Sequence, residues 1–109
     1  MSINEVLRNA ILPLVPVCEP VEYDGEEAQY CTFLYDDEPS IFADGKPDAM
    51  VHLVILNWYL PVGANPIRKK RQICRALFAA GFTYPRITNA SDSGGQLFVF
   101  ECEYVDGDV

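Results

Sequence analysis

The chain has 109 residues, half of them apolar, and a formal net charge of −8. That length gives one domain with a small core, and the acidic balance excludes a surface built throughout to bind nucleic acid, because phosphate binding is driven by cationic neutralisation. No apolar run approaches the ~20 residues of a membrane-spanning helix.

The N-terminus lacks a basic region, an unbroken apolar stretch and a small-residue cleavage site, so a product made without a signal peptide, inside the cell, is expected. Residues 2–12, SINEVLRNAIL, predict a helix. Ser2 is the candidate N-cap, with Glu5 completing a capping box. Ile3, Val6, Leu7, Ala10 and Ile11 make the apolar stripe, and Pro13 ends it. Prolines at 13, 16 and 20 make the following LPLVPVCEP a stiff, extended connector.

An acidic turn around Gly25 leads to a strand over 28–36, where Cys31, Phe33 and Tyr35 share one face. Residues 36–48, DDEPSIFADGKPD, read as a loop of acids, prolines and a glycine. Its carboxylates Asp36, Asp37 and Glu38 lack the glycine-turned ligand ladder of a calcium loop, so they read as solvated. Ile41 and Phe42 are apolar for a loop tip. They either fold back on the core or are buried by a neighbouring subunit.

Residues 49–60, AMVHLVILNWYL, predict the longest strand. Val51, Leu53, Ile55, Asn57 and Tyr59 face one way, and Met50, His52, Val54, Leu56, Trp58 and Leu60 the other. Both faces are mostly apolar, which places this strand centrally and covered on both sides. The helices can cover one face. The other needs a cover that so short a chain can scarcely supply, which points to a partner. His52, the only histidine, shows neither the hydrogen-bonded partner nor the nearby substrate site of a general base, and reads as a structural strand residue. Trp58 reads as core or interface packing.

Asn65–Gly81, NPIRKKRQICRALFAAG, predicts the best-defined helix: Asn65 as N-cap, Pro66 at the first helical position and Gly81 as a left-handed closing residue. Ile67, Cys74, Leu77, Phe78 and Gly81 fall on one side, with Ile73 flanking. Arg68, Arg71 and Arg75 form a basic stripe beside it, joined by Lys69 and Lys70. Such a cluster is either a solvated helix face or a contact surface for an acidic partner. Residues 82–89 then form a short strand broken by Pro85, a sign of an edge or a bulge. ASDSGG makes a hairpin turn, and 96–105 is the last strand.

The four cysteines, Cys18, Cys31, Cys74 and Cys102, are dispersed and form no Cys-x-x-Cys pair. They read as buried free thiols rather than metal ligands. Cys31 and Cys102 are candidate cross-strand neighbours, although a reducing cytosol disfavours a disulfide. No phosphate-cradling loop, nucleophile elbow or zinc-protease motif is present, and no paired base and nucleophile can be read. No catalytic, cofactor-binding or metal-binding residue is therefore assigned.

The order is α–β–β–α–β–β in one α+β domain, 1–109: a four-stranded, mainly antiparallel sheet with two helices packed on one face. This pattern resembles the tail-completion, or tail-terminator, proteins of long-tailed bacteriophages and prophages, including the head–tail joining relatives. The resemblance rests on the short N-terminal helix ending in Pro13, VPVCEPVEYDGEEAQYCTFLY, VHLVILNWYLP, NPIRKKRQICRALFAAGFTYPRIT and SDSGGQLFVFECEYVDGDV. The basic helix that closes on Ala-Gly-Phe and runs straight into a strand is its most telling part.

The resemblance implies a structural virion-assembly subunit that forms a homo-oligomeric ring, in known relatives a hexamer. Such a ring caps the tail tube and offers a surface to the head connector protein. It acts in the virion tail after assembly in the bacterial cytoplasm, with no enzyme activity, cofactor, sequence-specific nucleic-acid binding or membrane. The candidate assembly contacts are Arg68, Lys69, Arg71, Arg75, Ile41, Phe42 and Trp58. Two other expectations stay open: a minor capsid or head–tail connector component, and a small acidic regulator that binds a host protein through its exposed sheet face.

Overall fold

The computed structural model describes residues 2–41 and 47–106. In chain order the elements are α1 (Ile3–Ile11), β1 (Cys18–Pro20), β2 (Tyr30–Ile41), β3 (Pro47–Leu60), α2 (Ile67–Ala79), β4 (Arg86–Asn89) and β5 (Gln96–Asp106). The strands form one five-stranded sheet in the order β1-β2-β3-β5-β4. All neighbours pair antiparallel except β1, which runs parallel to β2.

The four expected strands and two helices are present, and the α+β class holds. The sheet is mixed and five-stranded, because the proline-rich connector contributes β1. Its extended backbone places Cys18 opposite Cys31, and the Cys31 amide donates to the Val17 carbonyl at 2.8 Å. The expected loop over 36–48 is corrected as well. β2 runs on to Ile41 and β3 begins at Pro47, with a register shift at Ser40/Ile41. Composition misled there: acids and prolines are tolerated in a strand whose flank is solvated.

Both helices are bounded by their own sequence. Ser2 Oγ accepts from the Glu5 amide and donates to Glu5 Oε1, each at 3.2 Å. Asn65 Oδ1 accepts from the Ile67 amide at 3.1 Å, the bond expected of an N-cap, although the first regular helical residue is Ile67. α2 closes in a Schellman turn. The Phe82 amide donates to Leu77 O and the Gly81 amide to Phe78 O, both at 3.1 Å, with Gly81 at φ +105°. Leu77 and Phe82, the two residues this turn brings together, are both buried.

One contiguous core lies between the helices and one face of the sheet. Ile3, Leu7 and Ile11 of α1 and Ile73, Cys74 and Leu77 of α2 pack over Phe33, Val54, Leu56, Trp58, Phe98 and Phe100. Trp58 is wholly buried beside Phe98 and Phe100, and its Nε1 donates to Gln29 Oε1 at 3.3 Å. The buried stripe of α2 is centred on Ile73, Cys74 and Leu77. Ile67 and Phe78, expected on that stripe, are 58% and 59% exposed instead.

Just past β1, Val21 has φ +67° and sits at the centre of a three-residue turn in which the Glu22 amide donates to Pro20 O at 2.8 Å. A β-branched residue is strained in that region. Gly81 and Val21 therefore give opposite predictions. Gly81→Ala places a Cβ 3.3 Å from the Tyr104 ring in a backbone conformation that disfavours it, and should cost about 1–3 kcal/mol. Val21→Gly relieves strain at an exposed side chain and should gain about 1 kcal/mol after the entropic cost of glycine. Urea unfolding midpoints of the two variants should move in opposite directions from the parent.

Candidate functional site

Among the described residues, no helix covers the sheet's second face. Strand alternation and register place Tyr30–Tyr59–Leu97, Thr32–Asn57–Val99, Leu34–Ile55–Glu101, Asp36–Leu53–Glu103 and Glu38–Val51–Val105 in successive rows across β2, β3 and β5. At one end this face is closed by its own aromatics. Tyr23 packs on Tyr30, which stacks on Tyr59 with centroids 4.6 Å apart.

The rest of the face is open. Leu34, Ile55 and Val105 are 46%, 39% and 61% exposed. The apolar centre, Leu34, Val51, Leu53 and Ile55, is flanked by Asp36 and Glu38 on β2 and by Glu101 and Glu103 on β5, all exposed. Arg86 stands opposite Glu101 in register. A groove of about 430 Å³ runs here, lined by Asp36, Leu53, Ile55, Thr83, Arg86, Glu101 and Glu103 among others. Two long strands thus present an apolar strip with an acidic rim.

The acidic triplet at 36–38 is divided by the strand it belongs to. Asp36 and Glu38 point to the open face, whereas Asp37 points to the core side and meets His52. The expectation that His52 has no hydrogen-bonded partner is corrected: Nδ1 bonds to the Asp37 carboxylate, and Nε2 lies 3.8 Å from Asp106 Oδ2. Tyr35 meets the ring edge-on at 5.5 Å, and Tyr104 lies nearly parallel to it at 6.2 Å. The signal was hidden because residues 36–41 read as loop; once β2 extends, register places Asp37 opposite His52.

The two carboxylates approach opposite nitrogens of one ring, Asp37 in a hydrogen bond and Asp106 at ion-pair distance, which suits a bridge between strands and not a chelate. Among the described residues, no group of three or more His, Cys, Asp or Glu side chains is arranged to hold a metal ion.

On the opposite side of the molecule, Arg68, Arg71 and Arg75 are exposed on α2. None of them makes an ion pair with a described residue. The two lysines turn inward and are half-buried. Lys70 Nζ sits 4.9 Å from the Phe98 ring centroid, and Lys69 is close enough to Cys31 to favour its thiolate. Their aliphatic stems cover the core margin, so the outward charge belongs to the arginines.

Of the other expected contacts, Trp58 is a core residue with no exposed surface. Ile41 ends β2, and Phe42 lies outside the described residues. No helix among the described residues is long and apolar enough to cross a membrane.

All four cysteines are buried and free. Cys31 is the register partner of Cys18, and Cys102 pairs with Val54, which corrects the expected Cys31–Cys102 neighbourhood. Burial pushes the Cys18 and Cys102 thiols up to about 12 and raises those of Cys31 and Cys74, the last opposed by a hydrogen bond with Tyr84. These thiols pack as small hydrophobes and make poor nucleophiles.

An unfolded thiol titrates near 9.0, whereas folded Cys18 and Cys102 hold their protons to about 12. Their burial therefore stabilises in full below pH ~9, and the contribution falls as pH rises above that, because only the unfolded chain gains thiolates. Urea midpoints should drop between pH 8 and 10.5, with a shallower drop in the Cys18→Ala/Cys102→Ala variant. For His52, a double-mutant cycle with Asp37→Asn and His52→Gln should return a coupling of about 0.5–1 kcal/mol, since the carboxylate is half-exposed.

No known protein family matches this chain when compared with it, and no curated protein does so either.

Proposed function

We propose that this chain is a structural assembly subunit of a bacteriophage or prophage virion: a tail-completion protein that forms a ring on the end of the tail tube and joins it to the head connector. The observation that carries this reading is the open sheet face, a half-apolar surface in the middle of the longest strands, with Leu34, Ile55 and Val105 exposed. A face of this kind is stable in water when another chain covers it.

Two further features support it. The net charge of −8 suits the wall of a channel through which DNA slides without sticking, because like charge repels phosphate. The unpaired arginine stripe of α2 supplies a basic patch for an acidic neighbour. The resemblance of the chain to tail-completion proteins adds the location at the tail end. The side chains that carry chemistry in this molecule, His52 and the thiols, are engaged in the fold, and the role assigned here is assembly without catalysis.

Light scattering on a size-exclusion column, with and without purified tail-only particles, tests this function. A ring of about six subunits, or binding confined to one end of the tails, is expected; the subunit number comes from the resemblance alone. Binding at the portal before tails attach would reassign the chain to the connector. A subunit that stays monomeric and ignores tails would sink the proposal in favour of a regulator that covers the same face with a host protein.

A further inference from the structure

We infer that the acid-rimmed open face of the sheet and the arginine stripe of α2 are the two halves of one contact, made head to tail between successive copies of this chain. The inference rests on the reading of the chain as an assembly subunit and assigns the surfaces that meet.

The occupant follows from charge. The open face presents Asp36, Glu38, Glu101 and Glu103 around its apolar strip, against one cation among the described residues, Arg86. Two copies meeting face to face through this surface would set four carboxylates against four others. Two copies meeting through α2 would set arginines against arginines. Both symmetric pairings bring like charges together, and each such juxtaposition is costly. The head-to-tail arrangement brings opposite charges together on both sides of every contact.

The spacings agree. Arg68 and Arg75 lie seven residues apart on the helix, about 10.5 Å at 1.5 Å per residue. Asp36 and Glu103 flank Leu53 from the two neighbouring strands, about 9.6 Å apart at ~4.8 Å per strand. A helix laid across β3 would set one arginine over each carboxylate and the helix surface over Leu53. Ile67 and Phe78, both more than half exposed, lie beside the arginines and add apolar surface at the two ends of that helix side.

The inclination of the two patches matters too. Counting about 100° per residue, the arginine stripe lies roughly 140° round α2 from its buried stripe. The two patches are therefore tilted away from opposite poles of the molecule. A head-to-tail contact with such a tilt turns each copy relative to the last, and it closes into a ring where that rotation divides a full turn.

Charge reversal tests the pairing. The helix variant carries Arg68→Glu and Arg75→Glu; the face variant carries Asp36→Lys and Glu103→Lys. All four positions are exposed, and circular dichroism with thermal melting checks that each variant folds. Sedimentation velocity is run on the parent, on each variant and on mixtures, at up to about 1 mM protein in low and high salt.

The parent should self-associate, less so as salt screens the contact. Each variant alone should lose about 100-fold in association. An equimolar mixture of the two variants should recover to within about tenfold of the parent, because each then presents what the other accepts. A chain carrying all four reversals should associate by itself.

A mixture no better than its components would overturn the inference, as would a closed dimer between the face variant and the parent, which would mean face-to-face pairing. A parent that remains monomeric throughout the series would also overturn it. These outcomes are separable from the fate of the proposed function. Variants that still assemble on tail ends as the parent does would remove the pairing and keep the tail role. A parent that assembles alone by this contact yet ignores tails would keep the pairing and remove the role.

Discussion

The structure depends on a mismatch between a two-sided strand and a one-sided cover. Burial of the alternate side chains of β3, from Val54 to Leu60, against α1 and α2 supplies the core. The opposite row, Val51 to Tyr59, is nearly as apolar. The described residues provide two short helices, and both are used on one face. Tyr23, Tyr30 and Tyr59 close one end of the uncovered side, and exposed carboxylates on the flanking strands border the remainder. The open surface comes from that arithmetic of residues.

Much of this was legible in the sequence where the signal was local. The capping box at Ser2, the Asn65–Pro66 start and Gly81 fixed the helix limits, because caps and left-handed closing residues act through bonds to their immediate neighbours. The alternation in 49–60 sorted its side chains into the two faces correctly, but it pointed to a strand covered on both sides, whereas the helices take one face and leave Ile55 exposed on the other. Less legible was anything decided across the sheet. β1 is a strand only because β2 lies alongside it, and its prolines pointed elsewhere. The extension of β2 through Asp36–Ile41 rests on its pairing with β3, which overrides a composition typical of loops. With that extension missed, the partner of His52 was missed as well. On α2, periodicity gave the right helix with the stripe rotated: Ile67 and Phe78 went outward, and the lysines folded their stems over the core edge.

The division of the acidic triplet shows how a single register choice distributes roles. Asp37 reaches the histidine and ties β2 to β3 near the end of the described hairpin, while Asp36 and Glu38 decorate the open face. A slip of one residue would exchange these roles, putting two carboxylates toward the core and leaving His52 without its acceptor. The aspartate–histidine contact therefore acts as a register lock for the surface on the other side of the sheet.

The turn at Val21 has a consequence of a different kind. It ends β1 after three residues, directly behind Pro20, and at the far side β4 is four residues long and starts directly after Pro85. Both outer strands are thus too short, and too closely bounded by residues without an amide hydrogen, to template a further strand. Copies of this chain at high local concentration are steered away from merging their sheets by backbone hydrogen bonding, the route that leads to amyloid-like fibres. Apolar β-structure can then lie exposed on the face of the sheet without its edges offering the backbone pairing on which such fibres grow.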